Sequence, residues 1–447
     1  GLAVSPQGDL FVADAGNNRI LRYPQPFNNP LPAFPDFVIG QPDMSTRSAN
    51  RDRDTNTISD RTLYLISGSN PFVAPLLFDP DGNLFVADAG NQRVLRFPAD
   101  RVRRGAPSYP RADLVLGQAG FTQTSPSNPS SAADLTLMGV PACLGMDSGR
   151  RLYVCDSYHR VLVYPAVIFS GASAQRRIGG GRNAQGNLQP PTNQTLYQPS
   201  GIFFVNDRVY VSDSGNNRIL RFPRFEDWHE TSLPTADDVI GQVNFTEYSA
   251  NRGAIWPVIG TEASPTVSFA LPGAAVYYSN EVFLADTGNN RVIVLSDPAT
   301  TAGSAMYGKR VLGQPFLDAN GANRAEERGF FFGLYAAGLA IDARSNPPRL
   351  YVADTINNRV LGFRDARTAK LGQPADIVLG QESFYRSVAH WGPSNPGQPN
   401  AYGLNLPQGL AVDSEGNLWV ADSGNGRVLR FPDPFSHGSS APADLVL

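Results

Sequence analysis

The chain has 447 residues, and 41% of them are hydrophobic, which is enough to build a sizeable core. The 37 Lys and Arg residues nearly balance the 40 Asp and Glu residues, and the formal net charge of -3 offers no basic face for nucleic acid. No apolar stretch approaches the ~20 residues that a membrane-spanning helix needs. We therefore expect no nucleic-acid partner and no membrane span.

One phrase returns seven times along the chain and is centred on an aspartate that follows a short apolar run. Its first copy extends from Leu10 to Arg19 and reads LFVADAGNNR. The aspartates and the arginines that follow them are Asp14 and Arg19, Asp88 and Arg93, Asp156 and Arg160, Asp213 and Arg218, Asp286 and Arg291, Asp354 and Arg359, and Asp422 and Arg427. A unit that recurs on this scale predicts a solenoid or a propeller.

Each copy predicts four strands. The apolar run before the aspartate is too short for a helix and predicts one strand, and the run after the arginine predicts another. Between them, Asp-x-Gly-Asn is typical of a turn. A further apolar run lies upstream, as in residues 409–413, and another lies downstream, as in residues 375–381. Four antiparallel strands per repeat form a propeller blade, so the sequence predicts an all-β, seven-bladed β-propeller.

These residues resemble the NHL family, whose repeat carries Pro-x-Gly-Ile-Ala-Val-Asp, Gly-Asn-Leu-Tyr-Val-Ala-Asp and Asn-x-Arg-Ile in this order. The resemblance covers essentially the whole chain and implies a single NHL-type propeller domain over residues 1–447. The chain opens within a first strand and stops within a last one. We therefore expect a domain excised from a longer protein, with its targeting segment elsewhere.

The repeats are longer than the ~40 residues of an ordinary propeller blade. The surplus lies between the fourth strand of one blade and the first strand of the next. These six insertions are residues 42–73, 119–141, 181–199, 243–272, 315–337 and 382–407. In an antiparallel blade, the turn between strands two and three opens on the same side as the connection to the next blade. We therefore predict that the insertions and the seven Asp-Arg turns share one face, called the insertion face below.

The insertions are rich in aromatic residues, which suit recognition because Trp and Tyr combine a large contact area with a polar tip. Alternatively, these rings pack over the blade ends, and the recurring Ala-Asn-Arg at 49–51, 250–252 and 322–324 favours such a shared structural plan. The candidate ligand-binding residues are Trp256, Trp391, Tyr385, Phe331, Arg252, Arg324 and His159. The predicted partner is a protein, peptide or glycan on the insertion face.

Catalysis requires asymmetry, whereas the Asp and Arg of the phrase recur in every blade and suit the closing of a turn. The third repeat departs from the phrase, with Tyr158 and His159 in place of Gly-Asn. The histidine-ligated zinc of an NHL-like lyase does not fit, because only His159 and His390 are predicted on the insertion face, whereas His229 and His437 are predicted opposite.

We therefore predict a non-catalytic binding or scaffolding module with no cofactor. The alternative is a calcium-dependent hydrolase or lactonase-like propeller enzyme, which would bind calcium through Asp, Asn and Glu oxygens.

The two cysteines lie on adjacent predicted strands. Cys143 and Cys155 are each six residues from Gly149, the centre of the intervening turn, so they are predicted to be directly opposed. Two interpretations stay open: a disulfide, or two small buried thiols side by side. A disulfide would imply an oxidising compartment. We accordingly expect an exported bacterial protein, extracellular or periplasmic.

Overall fold

The computed structural model describes residues 1–26, 34–66, 74–122, 129, 131–180, 187–255, 257–258, 267–301, 306–316, 318–322, 325–333, 337–393 and 397–447. The fold is a seven-bladed β-propeller, which confirms the prediction: each blade is a sheet of four antiparallel strands in sequence order. The α-helices of the described residues are Ala99–Val102 and Pro434–His437. None of the helices in the described part of the chain has the length and apolar character to cross a membrane.

Contacts divide the chain into two compact units, and their boundary passes through the fourth blade. Blades one to three belong to the first unit. Their strands are Leu2–Val4, Leu10–Asp14, Arg19–Tyr23 and Phe37–Ile39; Leu76–Phe78, Leu84–Asp88, Arg93–Phe97 and Leu114–Leu116; and Pro141–Met146, Leu152–Asp156, Arg160–Tyr164 and Arg176–Gly179.

Blades five to seven belong to the second unit. Their strands are Pro272–Tyr278, Glu281–Asp286, Arg291–Leu295 and Gly308–Leu312; Leu339–Asp342, Arg349–Asp354, Arg359–Phe363 and Ile377–Leu379; and Pro407–Val412, Leu418–Asp422, Arg427–Phe431 and Leu445–Val446. The strands of the fourth blade are Pro199–Val205, Arg208–Asp213, Arg218–Arg224 and Asp238–Ile240.

The apolar runs beside the repeated aspartate form the core. Every residue of Leu84–Asp88 and of Leu152–Asp156 is buried, as expected for strands covered on both faces. In the second unit, Phe283 and Val294 of blade five pack in one cluster with Val352 of blade six. Each such side chain contributes roughly 1.5–3 kcal/mol by leaving water. Stability therefore comes mainly from blade faces packed against one another.

The turn between strands two and three takes the same form in five blades. It is a single 3₁₀ turn, which occupies Ala15–Asn17, Ala89–Asn91, Ser214–Asn216, Thr287–Asn289 and Ser423–Asn425. The next residue is left-handed, as at Asn290 with φ of 49°, a conformation that Asn tolerates well. The third blade is one residue shorter here, and its left-handed residue is His159, with φ of 59°.

The two cysteines face each other across strands one and two of the third blade. Cys143 pairs directly with Cys155, and a disulfide joins them with 5.0 Å between their Cα atoms. Both side chains are buried. The bond therefore cross-links the two strands of the hairpin that turns at Gly149.

Candidate functional site

The repeated Asp and Arg form an ion pair across each turn between strands two and three. The closest nitrogen to oxygen distances are between 2.6 and 3.0 Å in the seven blades. In blade six, the side chains of Asp354 and Arg359 are both fully buried, and Asn357 also donates to Asp354 at 2.9 Å. The turn residues therefore satisfy one another inside the protein.

Each arginine also holds insertions through their backbone carbonyls. Arg359 Nη2 donates to the carbonyls of Glu326 and Gly329, at 2.9 and 2.8 Å, in the insertion before its blade. Arg359 Nη1 donates to the carbonyl of Phe384 in the insertion after it. Arg93 bridges the insertions on either side of blade two in the same way, through the carbonyls of residues 59, 62 and 121. The arginine is thus a clamp between successive loops.

The aspartate completes this clamp from the other side of the turn. Asp354 Oδ1 accepts the backbone N–H of Phe331 at 2.6 Å, and the same bond recurs between Asp88 and the N–H of Tyr64. Burial raises the pKa of Asp354, while Arg359 and the N–H donors oppose that shift. These carboxylates are enclosed by donors of their own chain and serve to fix the loops.

A glutamine just after the fourth strand ties the start of an insertion to the same turn. Gln381 Nε2 donates to the carbonyls of Asn358 and Val388, at 2.8 and 2.9 Å. Gln41, Gln242 and Gln314 make equivalent bonds. The long insertions are therefore anchored at their bases by side chains that recur from blade to blade.

His159 takes the place that asparagine holds in other blades. There, the side-chain oxygen of the left-handed residue accepts an N–H from the next insertion, as Asn290 accepts that of Phe332 at 3.0 Å. His159 Nδ1 accepts the N–H of Gln198 at 3.3 Å, and its ring packs edge-on against Tyr197 at 4.9 Å. The side chain is buried. This geometry gives His159 a structural task.

Replacing His159 by asparagine should therefore change the free energy of unfolding by less than about 1 kcal/mol, because Asn suits the left-handed backbone and offers an acceptor to Gln198. Replacement by alanine should cost about 1–3 kcal/mol, since the partly buried bond from the N–H of Gln198 to the side chain is lost. Urea unfolding of both variants measures the difference. Equal losses from the two substitutions would contradict this role.

His390 belongs to another recurring polar pair. The Asn of Ala-Asn-Arg pairs with the turn Asn of the next blade, as Asn251 does with Asn289 at 2.9 and 2.8 Å. In blade seven, His390 Nε2 lies 2.6 Å from Oδ1 of Asn425 in the same arrangement. Residues 389–391, Ala-His-Trp, are therefore a variant of Ala-Asn-Arg, a match that aligning the insertions on this alanine would have revealed.

The other candidate residues differ in how far their side chains are exposed to solvent. Tyr385 is 68% exposed, and its interaction with Glu327 raises the pKa of Tyr385 and lowers that of Glu327. Trp391 is half-buried, with its ring edge-on to Tyr402 at 5.8 Å. Phe331 is half-buried above Asp354, and burial lowers the pKa of Arg252. Trp256 and Arg324 lie outside the described residues. Tyr385 is thus the most accessible of the described candidates.

A metal ion held by side chains needs a cluster of ligands. Within the described ranges, no three His, Cys, Asp or Glu side chains are grouped as ligands of one ion would be. The predicted calcium alternative also involves Asn oxygens, so it stays a prediction that elemental analysis of the purified protein would test.

One family model matches parts of the chain. The NHL repeat model matches residues 1–23, 196–222 and 404–431. No curated protein sequence is significantly similar to the chain.

Three solved structures illustrate the likeness. A functionally unknown protein from Desulfotomaculum acetoxidans DSM 771 is 10% identical, with a TM-score of 0.50 over 97% of this chain and 94% of that chain. A catalytically inactive virginiamycin B lyase from Staphylococcus aureus with Quinupristin is 12% identical, with a TM-score of 0.45 over 94% and 90%. The WD40 propeller domain of Doa1 is 8% identical, with a TM-score of 0.47 over 96% and 90%.

Identities this low speak to the fold alone. The repeat model matches three regions of the chain, in agreement with the resemblance drawn from the sequence, so the chain carries NHL repeats and folds as a seven-bladed β-propeller.

Proposed function

We propose that the protein is a non-catalytic recognition module that binds a peptide, protein or glycan through its insertions. One observation carries the proposal: among the described residues, 11 of the 17 exposed large hydrophobic side chains lie in the six insertions. The insertions make up about a third of the chain, so this share is well above an even distribution. Exposed apolar area concentrated on loops is typical of an interaction surface.

The insertions of the second unit carry most of this surface. Their exposed large hydrophobic residues are Val243, Tyr248, Ile255, Val258, Leu271, Phe316, Tyr385 and Val388. Neighbouring insertions interact directly: Asn320 donates to the carbonyl of Ile255 at 2.9 Å, and the Glu327 carboxyl group raises the pKa of the Tyr385 hydroxyl. The three loops therefore support one another.

The clamps below these loops supply the second requirement for recognition, which is a preformed shape. Arg359, Asp354 and Gln381 fix the base of the last two insertions by buried bonds to their backbone. A loop that is already ordered loses less conformational entropy when it binds. The repeated charged residues thus act on binding through the loops that they hold.

The setting that we propose is an exported bacterial protein. The Cys143–Cys155 disulfide supports this proposal, since disulfides persist mainly in oxidising compartments. Thiol content of protein taken directly from its native host compartment is the relevant measurement.

Peptide and glycan arrays provide the test of binding. For the best array ligand, Tyr385→Ala and Tyr248→Ala should each weaken affinity about 5- to 30-fold, the effect of removing an aromatic contact worth 1–2 kcal/mol. Phe169→Ala is the matched control, because Phe169 is 73% exposed but lies between strands three and four of its blade. Chemical turnover of the ligand, or equal loss in all three variants, would contradict the proposal.

A further inference from the structure

One position on the fourth strand is charged in the third blade and apolar in the other six blades. Arg177, on the fourth strand, pairs with Leu162 on the third strand. The residues at the same register in the other six blades are Val38, Val115, Val239, Val311, Val378 and Val446. The first five of these valines are buried, with at most 5% exposure. Arg177 is half-buried.

A second substitution accompanies this arginine. Gly180 stands where five other blades have the anchoring glutamine, for example Gln381. The guanidinium of Arg177 lies against Gly180, since a Cβ on Gly180 would be only 2.4 Å from Arg177 Nη1. Arg177 Nη1 donates to the carbonyl of Gly179. A cation with five N–H donors has thus replaced a neutral amide.

Arg177 has no bonded carboxylate among the described residues. In the described part of the chain, Arg177 forms no ion pair and no hydrogen bond with a carboxylate, and the charged group that acts on it is Arg160. Burial and that neighbour both lower the pKa of Arg177.

The sequence points the same way. Between Asp156 and Asp207 there is no acidic residue, but there are four arginines, at 160, 176, 177 and 182. The stretch 181–186, which the structure does not describe, therefore contains no carboxylate side chain either. The preceding insertion carries Asp134, whose Oδ1 accepts from Thr136 and from the N–H of Leu137. Arg160 already pairs with Asp156 at 3.0 Å, so that carboxylate is engaged.

We propose that Arg177 forms the centre of an oxyanion site in the third blade, which takes a carboxylate, sulfate or phosphate group. A half-buried guanidinium without a counter-ion is costly, and an oxyanion both neutralises it and accepts two N–H bonds in parallel. The site is independent of the aromatic surface of the second unit, so the two proposals can fail separately.

Calorimetric titration of the full chain with sodium sulfate, phosphate or acetate, at constant ionic strength set by sodium chloride, tests this site. We expect saturable binding of at least one oxyanion, and the rank order separates a carboxylate site from a sulfate or phosphate site. Arg177→Val introduces the residue of the other blades and should weaken binding at least tenfold. Arg177→Lys should retain part of it, as a point charge without the planar fork.

Arg176→Gln is the control, because Arg176 is the neighbouring arginine on the same strand and donates to the carbonyls of His229 and Ser232, at 2.7 and 2.6 Å. This variant should bind within twofold of the parent. Arg177→Gln keeps a polar side chain and serves in the same titration if Arg177→Val unfolds. Parent protein that responds to oxyanions no more than to chloride, or Arg177 variants that bind as tightly as the parent, would overturn the proposal.

Discussion

Replacing Arg359 by alanine should lower the free energy of unfolding by about 3–5 kcal/mol, the usual cost of breaking a buried ion pair from one side. Asp354 would remain fully buried without its cation, 2.6 Å from where Arg359 Nε now lies. Three loop carbonyls, those of Glu326, Gly329 and Phe384, would lose their donor as well. Urea unfolding followed by circular dichroism measures the loss.

Arg386, an exposed arginine of the insertion 382–407, provides the control. Arg386 lies 4.0 Å from Glu382, and both side chains are about 60% exposed, so Arg386→Ala should change stability by no more than about 0.5 kcal/mol. Because Arg359 holds the insertion at the carbonyl of Phe384, we also expect faster amide hydrogen exchange in residues 382–393 of the variant Arg359→Ala. If Arg359→Ala were as stable as Arg386→Ala, the repeated arginines would not hold the insertions.

Removing the disulfide should cost roughly 3 kcal/mol, because the unfolded chain regains the freedom of a closed loop of about 12 residues. The variant Cys143→Ala with Cys155→Ala keeps small side chains at both positions, so little packing is lost. Its unfolding midpoint in urea, compared with that of the oxidised parent, gives the loss.

Reduction separates the bond from the side chains. With a strong thiol reductant in the buffer, the parent should fall to the stability of the double variant, whereas the double variant should not respond. Intact-mass data that show two free thiols after oxidative purification would contradict the disulfide.

The architecture was predictable because the repeat encodes it locally. Seven copies of a strand, turn and strand phrase predicted seven four-stranded sheets, and the structure confirms this. The opposition of Cys143 and Cys155 also followed from counting along one hairpin, since a strand pair has a fixed register.

The bonds between the turn residues and the insertions were not predictable from the sequence. They join residues about 25 to 50 positions apart, and the acceptors are backbone carbonyls, which carry no sequence signal. Arg359 gives no hint in sequence that its acceptors lie at Glu326 and Phe384. His159 and His390 were candidate ligands by residue type. Both have the left-handed backbone conformation that asparagine adopts at the equivalent positions of other blades. An alignment of the fourth strands reveals Arg177, because the equivalent position is valine in the other six blades.

The most direct test of a recognition module is hydrogen–deuterium exchange on the parent protein, with and without a saturating amount of the best array ligand. We expect slower exchange in residues 243–272, 315–337 and 382–407 and recovery of the ligand chemically unchanged. Protection confined to connections between strands three and four, such as residues 165–175, or consumption of the ligand, would contradict it.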